Sequence, residues 1–302
     1  MLASTPQALA QPEALHRTVA QLTAAPPAAQ APAPLSAPET VADGVRLHRL
    51  SDPNLLSPPG PISVQLLEID PRRVELRVET AADRLPAKAT VPEIARQHRA
   101  LAAINAGFFV VATGEAAGLL KVDGRLISPT RLPRGAVAVA ARSWRRPMRL
   151  FFDQVSVRRP SPGTPPVYET QLGSPASAWA GARHAVGGAG LLVAKGRVLS
   201  PEDRNVEKLG RSFTETRHPR TFVGVDKRGF IWLITVDGRS LSSLGMTFDE
   251  LQALARRLGL RDALNLDGGG STTMVVRGEL VNRPSDPTGP RPVTDAILVF
   301  SR

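Results

Sequence analysis

Apolar residues recur in short runs along most of this 302-residue chain, and the runs are too brief for long helices. ISVQLLEID (62–70) and RVELRVET (73–80) flank an Asp-Pro turn at Asp70-Pro71. GLLKVDGRLI (118–127) is an apolar run, an Asp-Gly turn and a second run, the pattern of a two-residue hairpin. GLLVAKGRVL (190–199) repeats that pattern, and FVGVDKRGFIWLITV (222–236) and MVVRGELV (274–281) are hairpin-like too. DAILVF (295–300) closes the chain with one more strand, and the Pro/Ser/Gly-rich stretch 156–179 reads as a long surface excursion.

Two segments carry helical spacing instead. Thr247-Phe248-Asp249-Glu250 forms a capping box, followed by Leu251, Leu254, Ala255 and Leu258 on one face and a stop at Gly259. Thr90-Val91-Pro92-Glu93 is a second box, followed by Ile94, Ala95 and His98. Each helix leads into an apolar strand ending in asparagine and glycine, ALAAINAGFF (100–109) and ALNLDGGGS (263–271). One device, helix to strand to polar glycine loop, is thus used twice, and the two loops are expected to share a cleft. Many short strands with few helices predict an α+β unit, one extensive, largely antiparallel sheet with a few helices packed on it.

Composition adds boundaries. Residues 24–38 are Pro/Ala-rich and uncharged, so residues 1–43 read as a disordered N-terminal segment, with at most a short helix at 13–22, and 44–302 as the folded domain. There is no cysteine, which excludes disulfides, thiolate metal sites and cysteine nucleophiles. No apolar stretch is long enough to span a bilayer. No leader is visible at the start; export to the periplasm, envelope or medium, with the leader absent from this chain, is the expected location, and the cytoplasm is the alternative. The net charge is +11, yet only five of 38 basic residues are lysine and the arginines are scattered, the densest group being RSWRRPMR at 142–149. An anionic small molecule or polymer suits that field better than nucleic acid.

Asp267-Gly268-Gly269-Gly270-Ser271 is the least ordinary stretch. Three glycines weaken a strand, so they point to positive φ, close backbone approach or an anion-binding nest of N–H groups; a flexible turn is the plain alternative. No Gly-Lys-Ser/Thr follows, which argues against a phosphate loop of the nucleotide-binding kind. Asn105 and Gly107 offer an amide and a permissive backbone, while Phe108 and Phe109 belong to a pocket wall or to the core. In His218-Pro219-Arg220-Thr221, Arg220 suits a two-pronged grip on phosphate and His218 suits proton transfer, unless the stretch is only a strand entry. Asp286 and Asp237 are further carboxylates for an acid–base pair, both in sequences that also read as turns. Arg291 and Asp295 follow soon after. There is no metal-binding histidine pair and no calcium loop; aspartates alone could hold a divalent cation, and no cofactor is implied. Ser271 is not in a nucleophile elbow, which disfavours a Ser-His-Asp triad.

AAINAGFF, HPRTFVGVD, VDGRSLSSLGMTFDELQALARRLGL, ALNLDGGGSTT and VNRPSD, in that order, resemble the phosphodiester glycosidase family over roughly residues 61–300. The resemblance implies hydrolysis of a glycosidic bond whose leaving group is a phosphodiester oxygen, in exopolysaccharide or envelope glycan metabolism. It matches Asn105, Arg220 and the loop Asp267 to Ser271 to the family's motifs, and Gly187 and Gly188 to a glycine turn; Ala106 stands where a glycine is usual. The expected site therefore has Arg220, Thr221, Ser271, Arg291 and the amides of Gly268, Gly269 and Gly270 on the phosphate, with Asp267 stabilising an oxocarbenium ion or acting as base or nucleophile. Asp286 or His218 takes the complementary proton role, with Asp237 a further candidate. The alternative is a non-catalytic module that binds anionic envelope polysaccharide.

Overall fold

The computed structural model describes residues 35–140, 147–161 and 163–302, and one compact unit spans Ala33–Arg302. The helix expected at 13–22, most of the Pro/Ala-rich segment and the arginines of 142–146 lie outside the described residues. The strands in chain order are β1 (Glu39–Ala42), β2 (Val45–Leu50), β3 (Val64–Ile69), β4 (Val74–Thr80), β5 (Ala102–Asn105), β6 (Leu120–Val122), β7 (Arg125–Ser128), β8 (Arg134–Val139), β9 (Leu150–Arg158), β10 (Val167–Thr170), β11 (His184–Gly187), β12 (Leu191–Ala194), β13 (Arg197–Val198), β14 (Arg220–Asp226), β15 (Ile231–Val236), β16 (Leu260–Asn265), β17 (Met274–Val276), β18 (Glu279–Leu280) and β19 (Asp295–Ser301). The helices are α1 (Val91–Gln97), α2 (Ala176–Gly181), α3 (Pro201–Arg204), α4 (Arg211–Glu215) and α5 (Phe248–Arg257).

These strands form three sheets, where the pattern predicted one. Their orders are β1-β2-β3-β15-β14-β16-β12-β13, β10-β9-β8-β11-β6-β7 and β18-β17-β5-β19-β4. Pairing is antiparallel throughout the described residues. The fold is therefore dominated by sheet more than α+β implies. The folded chain also begins before residue 44, since β1 pairs with β2. The stretch 156–179 is not a bare excursion: it contains β10 and α2, and Trp179 of α2 is fully buried beside Tyr168.

Local chemistry explains the elements. The hairpins β6–β7, β12–β13 and β17–β18 turn on Asp123-Gly124, Lys195-Gly196 and Arg277-Gly278, and both residues of each pair have positive φ, the twist that matches right-handed strands. Both capping boxes close: Thr90 and Glu93 start α1, and Thr247 and Glu250 start α5, with Gly259 at φ +67 just past its end.

Alternate residues of the central strands divide between two cores. Leu67, Ile69, Val223, Leu233 and Leu264 of the eight-stranded sheet face Ile104, Ile297 and Val299 of the five-stranded sheet. Their neighbours Leu66, Phe222, Ile234 and Ala263 face outward under Leu251, Leu254 and Ala255 of α5. On the other side, Ala103, Ala296 and Leu298 lie under Val91, Ile94 and Ala95 of α1. Two sheets thus pack face to face, each roofed by one helix, which is why β3, β14 and β15 are apolar on both faces.

Candidate active site

The two helix–strand–glycine loops meet where β5 and β16 leave their sheets. Asn105 Nδ2 donates to the Asp267 carbonyl at 2.7 Å, and the Asp267 N–H donates to the Ala106 carbonyl at 2.9 Å. Asn105 Oδ1 accepts from Thr221 Oγ1 (2.7 Å) and from the Thr273 N–H (3.1 Å). Asn105 and Thr221 are fully buried. They act as a buckle between three segments, where the sequence reading gave them to the ligand.

The three glycines have a steric explanation. A Cβ on Gly268 would stand 2.6 Å from the Pro219 carbonyl oxygen, and one on Gly270 would stand 2.2 Å from Arg291 Nη2 and 2.3 Å from Asp286 Oδ1. Gly269 has φ +61. Two of the three amides of the expected N–H nest are already occupied, one within the loop and one by the neighbouring strand entry. Gly268 N–H binds Asp267 Oδ1 (2.9 Å) and Gly269 N–H binds the Pro219 carbonyl (2.9 Å). Ser271 N–H and Thr272 N–H close a tight turn onto Gly268 and Gly269.

Arg220 also departs from expectation. Its backbone lies against Gly268, but its guanidinium is buried on the far side, donating from Nε to the Met246 carbonyl (2.9 Å) and from Nη2 to the Phe213 (2.7 Å) and Thr216 (3.1 Å) carbonyls. It sits 5.0 Å from the ring centres of both Phe213 and Phe248. Burial, helped by the nearby Arg239 charge, lowers its pKa to about 10, so it is still a cation at neutral pH. Its position makes it a strut for the 213–216 segment. Arg220→Ala is expected to destabilise the fold by about 3 kcal/mol by leaving buried carbonyls unpaired, as read from urea unfolding.

The other predicted acid–base groups have structural partners as well. Asp237 Oδ1 accepts from Asn282 Nδ2 (3.1 Å) and the Arg283 N–H (3.0 Å), and Oδ2 accepts from Gln65 Nε2 (3.3 Å). Burial raises its pKa and these hydrogen bonds oppose that. Asp286 forms a two-pronged ion pair with Arg291 at 2.8 and 3.1 Å, pressed against Gly270. His218 Nε2 lies 3.2 Å from the Ser212 carbonyl, and burial, with the Arg220 and Arg239 charges, lowers its proton affinity. The ring is therefore neutral at pH 7.

Asp267 itself is deep in the protein yet partly open to solvent. Burial pushes its pKa up to about 6, against the ionising influence of the Ser271 hydroxyl, the Gly268 N–H and the Arg291 charge. A second carboxyl stands close enough to feel it. Asp295, at the head of β19, is 1% exposed; Oδ1 accepts the Gly107 N–H at 2.6 Å and Oδ2 has no hydrogen-bond partner among the described residues. Burial and the charge of Asp267 push Asp295 up to about 7. A Cβ on Gly107 would stand 3.1 Å from both Asp295 oxygens, a tight fit. Asp295 did not stand out in the sequence, although a carboxylate heading an apolar strand mirrors Asp267 at the end of another.

Two clefts lie at either end of this loop. One, of about 310 Å³, is lined by Arg239, Arg283, Ser285 and Asp286; Arg239 Nη2 stands 3.1 Å from where a Gly269 Cβ would be, and the buried Ser285 hydroxyl has no partner among the described residues. The other, of about 520 Å³, is lined by Phe108, Gly187, Gly188 and Phe213 with Arg131, Arg134 and Lys208. The Phe108 and Phe213 rings meet edge to face at 6.0 Å, whereas Phe109 packs over the α1 core. Gly187 and Gly188 permit close contact: a Cβ on them would stand 2.9 Å from the Leu119 nitrogen and 2.2 Å from the Asn265 oxygen. Among the described residues no group of three His, Asp or Glu is arranged to hold a metal ion, and no helix is long and apolar enough to cross a membrane.

Comparison with known proteins gives a consistent picture. The phosphodiester glycosidase family profile matches residues 98–300. The mouse N-acetylglucosamine-1-phosphodiester alpha-N-acetylglucosaminidase is 29% identical over 206 residues, 66% of this chain and 36% of the mouse protein. The human protein of the same name is 26% identical over 199 residues. The chain spans about a third of the length of these relatives. Among solved structures, the zebrafish catalytic domain of that name superposes with a TM-score of 0.66 at 19% identity, covering 89% of this chain and 87% of that one. A hypothetical protein from Synechocystis superposes at 0.70 and 22%, covering 90% and 64%.

Proposed function

This chain belongs to the phosphodiester glycosidase family, and from that premise we propose that it hydrolyses the bond between a sugar's anomeric carbon and a phosphodiester oxygen, with Asp267 as the carboxyl at the reacting centre. The observation that carries this reading is Asp267, a carboxyl whose proton affinity burial raises, on a loop that runs from the wall of one cation-bearing cleft to the wall of another. A phosphodiester is already a good leaving group, so the chemistry needs charge stabilisation on the departing oxygen more than a strong acid. The cleft of Arg239, Arg283 and Ser285 supplies that role, which Arg220 is not placed to fill. Asp267, ionised above pH 6, faces the anomeric carbon and either stabilises the oxocarbenium ion directly or activates water. Asp295 does not touch substrate; it is a positioning group whose Oδ1 holds the Gly107 N–H.

The name of the mouse relative makes an N-acetylglucosamine-1-phosphodiester the first substrate to test. Free sugar should appear with the wild type. Arg239→Gln should raise KM for the diester about tenfold, the scale of one lost charge-assisted hydrogen bond, and much less for a neutral aryl glycoside of the same sugar. Equal effects on both would remove the phosphate from that cleft. Binding of the diester without sugar release would instead favour a glycan-binding module.

A further inference from the structure

Many arginines of the described chain lie against carboxylates. Arg72, Arg77, Arg217, Arg228, Arg257 and Arg291 each have an acidic partner within 2.9 Å. Arg131, Arg134 and Lys208 do not: among the described residues none of the three has an ion pair, and all line the 520 Å³ cleft. Three uncompensated cations around one concavity repel one another, and the cost is recovered when an anion enters. Their backbone is not loose. Gly135, next to Arg134, donates its N–H to Glu207 Oε2 at 2.8 Å, and Glu207, next to Lys208, is fully buried and also accepts from Gly190 and Leu191. One buried carboxylate thus fixes two of the three cation-bearing segments relative to each other.

The cleft also has a direction relative to the reacting carboxyl. The loop from Asn265 to Gly270 begins against Gly188, in the wall of this cleft, and ends against Arg239 and Asp286, in the wall of the smaller one. Asp267 lies between. If the smaller cleft holds the scissile phosphate, as the reading above has it, the larger cleft lies on the sugar side of the bond. Its Phe108 and Phe213 rings offer an apolar surface to a sugar face, and its cations lie around that surface.

We propose that this cleft is a subsite for a second phosphate, carried on the sugar side of the scissile bond, so that the substrate is an extended sugar-phosphate chain and not a sugar with a bare non-reducing end. The proposal rests on the hydrolase reading for its orientation, and its test separates the two. Kinetics compares N-acetylglucosamine 1-(ethyl phosphate) with the same compound phosphorylated at O4 or at O6. The wild type should favour at least one phosphorylated form by tenfold or more in kcat/KM, and the triple variant R131Q/R134Q/K208Q should lose that preference. The charge-conserving R131K/R134K variant should keep most of it, and thermal melting checks that each variant is folded. Calorimetry with N-acetylglucosamine 4-phosphate and 6-phosphate gives a readout without turnover: the wild type should bind one of them, and the triple variant should bind it at least tenfold more weakly. No preference and no such binding in the wild type, or both retained in the triple variant, overturns the subsite. Binding that depends on the three cations, with no cleavage of any diester, leaves the subsite standing and defeats the hydrolase reading. Cleavage of the ethyl phosphate without any preference does the reverse.

Discussion

Asp267→Asn is expected to lower kcat for a glycosyl phosphodiester by about a thousandfold, the scale of a lost acid–base group, with KM changed far less. Asp267 alone among the sequence-derived acid–base candidates combines access to solvent with a strongly raised proton affinity, while Asp237 and Asp286 are tied up by hydrogen bonds and by Arg291. Asparagine keeps an oxygen to accept the Gly268 N–H, so the loop should stay folded. Stopped assays of sugar release over a range of diester concentrations measure this, with urea unfolding as the control. Equal rates in the two proteins would take Asp267 out of the chemistry.

Asp295→Asn should behave in the opposite way. In the unfolded chain an aspartate titrates near 3.8, and in the fold Asp295 reaches about 7. The native state therefore holds a proton that the unfolded state has released between those values. The stability this confers is fully present below pH 3.8 and is lost as pH rises through 7. A carboxyl moved that far costs the fold about 4 kcal/mol when ionised, of which an asparagine with one unpaired buried donor recovers about half. We expect Asp295→Asn to be about 2 kcal/mol more stable than wild type at pH 8, where the wild-type carboxyl is ionised, and about 2 kcal/mol less stable at pH 4, where the wild-type carboxyl is neutral and only the unpaired amide donor counts. The same change should remove the alkaline limb of the pH–rate profile, near 7, and leave the acidic limb near 6 where Asp267 protonates. Unfolding curves at pH 4 and 8 and a rate profile from pH 5 to 9 test both halves. A variant destabilised at pH 8 would show that Asp295 is held as a wanted charge.

The features legible in the sequence were those whose cause is local. Capping boxes at Thr90 and Thr247 and the glycine turns at 124, 196 and 278 depend on neighbours within four residues, and all formed where the pattern put them. Three sheets in place of one could not be read, because a hairpin such as β6–β7 does not say which other strands it joins. The Asp267 loop stood out as a place where folding alone would not choose glycine, yet the reason differed from the expected nest. Sequence shows three missing side chains but not the Pro219 carbonyl, the Arg239 side chain or the Arg291–Asp286 pair that occupy the space. Arg220 illustrates the same limit: its place in His-Pro-Arg-Thr is visible, but the direction of a long side chain is decided by Phe213 and Phe248, which are remote or unremarkable in sequence.

Asp267 leaves the end of β16 in one sheet, and Asp295 opens β19 in the sheet packed against it. Burial holds both proton affinities up, so their acidity follows how tightly the two layers exclude water at that rim. Trimming Leu67 or Ile297, in the hydrocarbon between them, would let the layers settle differently and reset the acidity at the rim. A lineage of such proteins could drift from an acidic to a neutral working range through methyl groups alone, with every residue in the clefts unchanged.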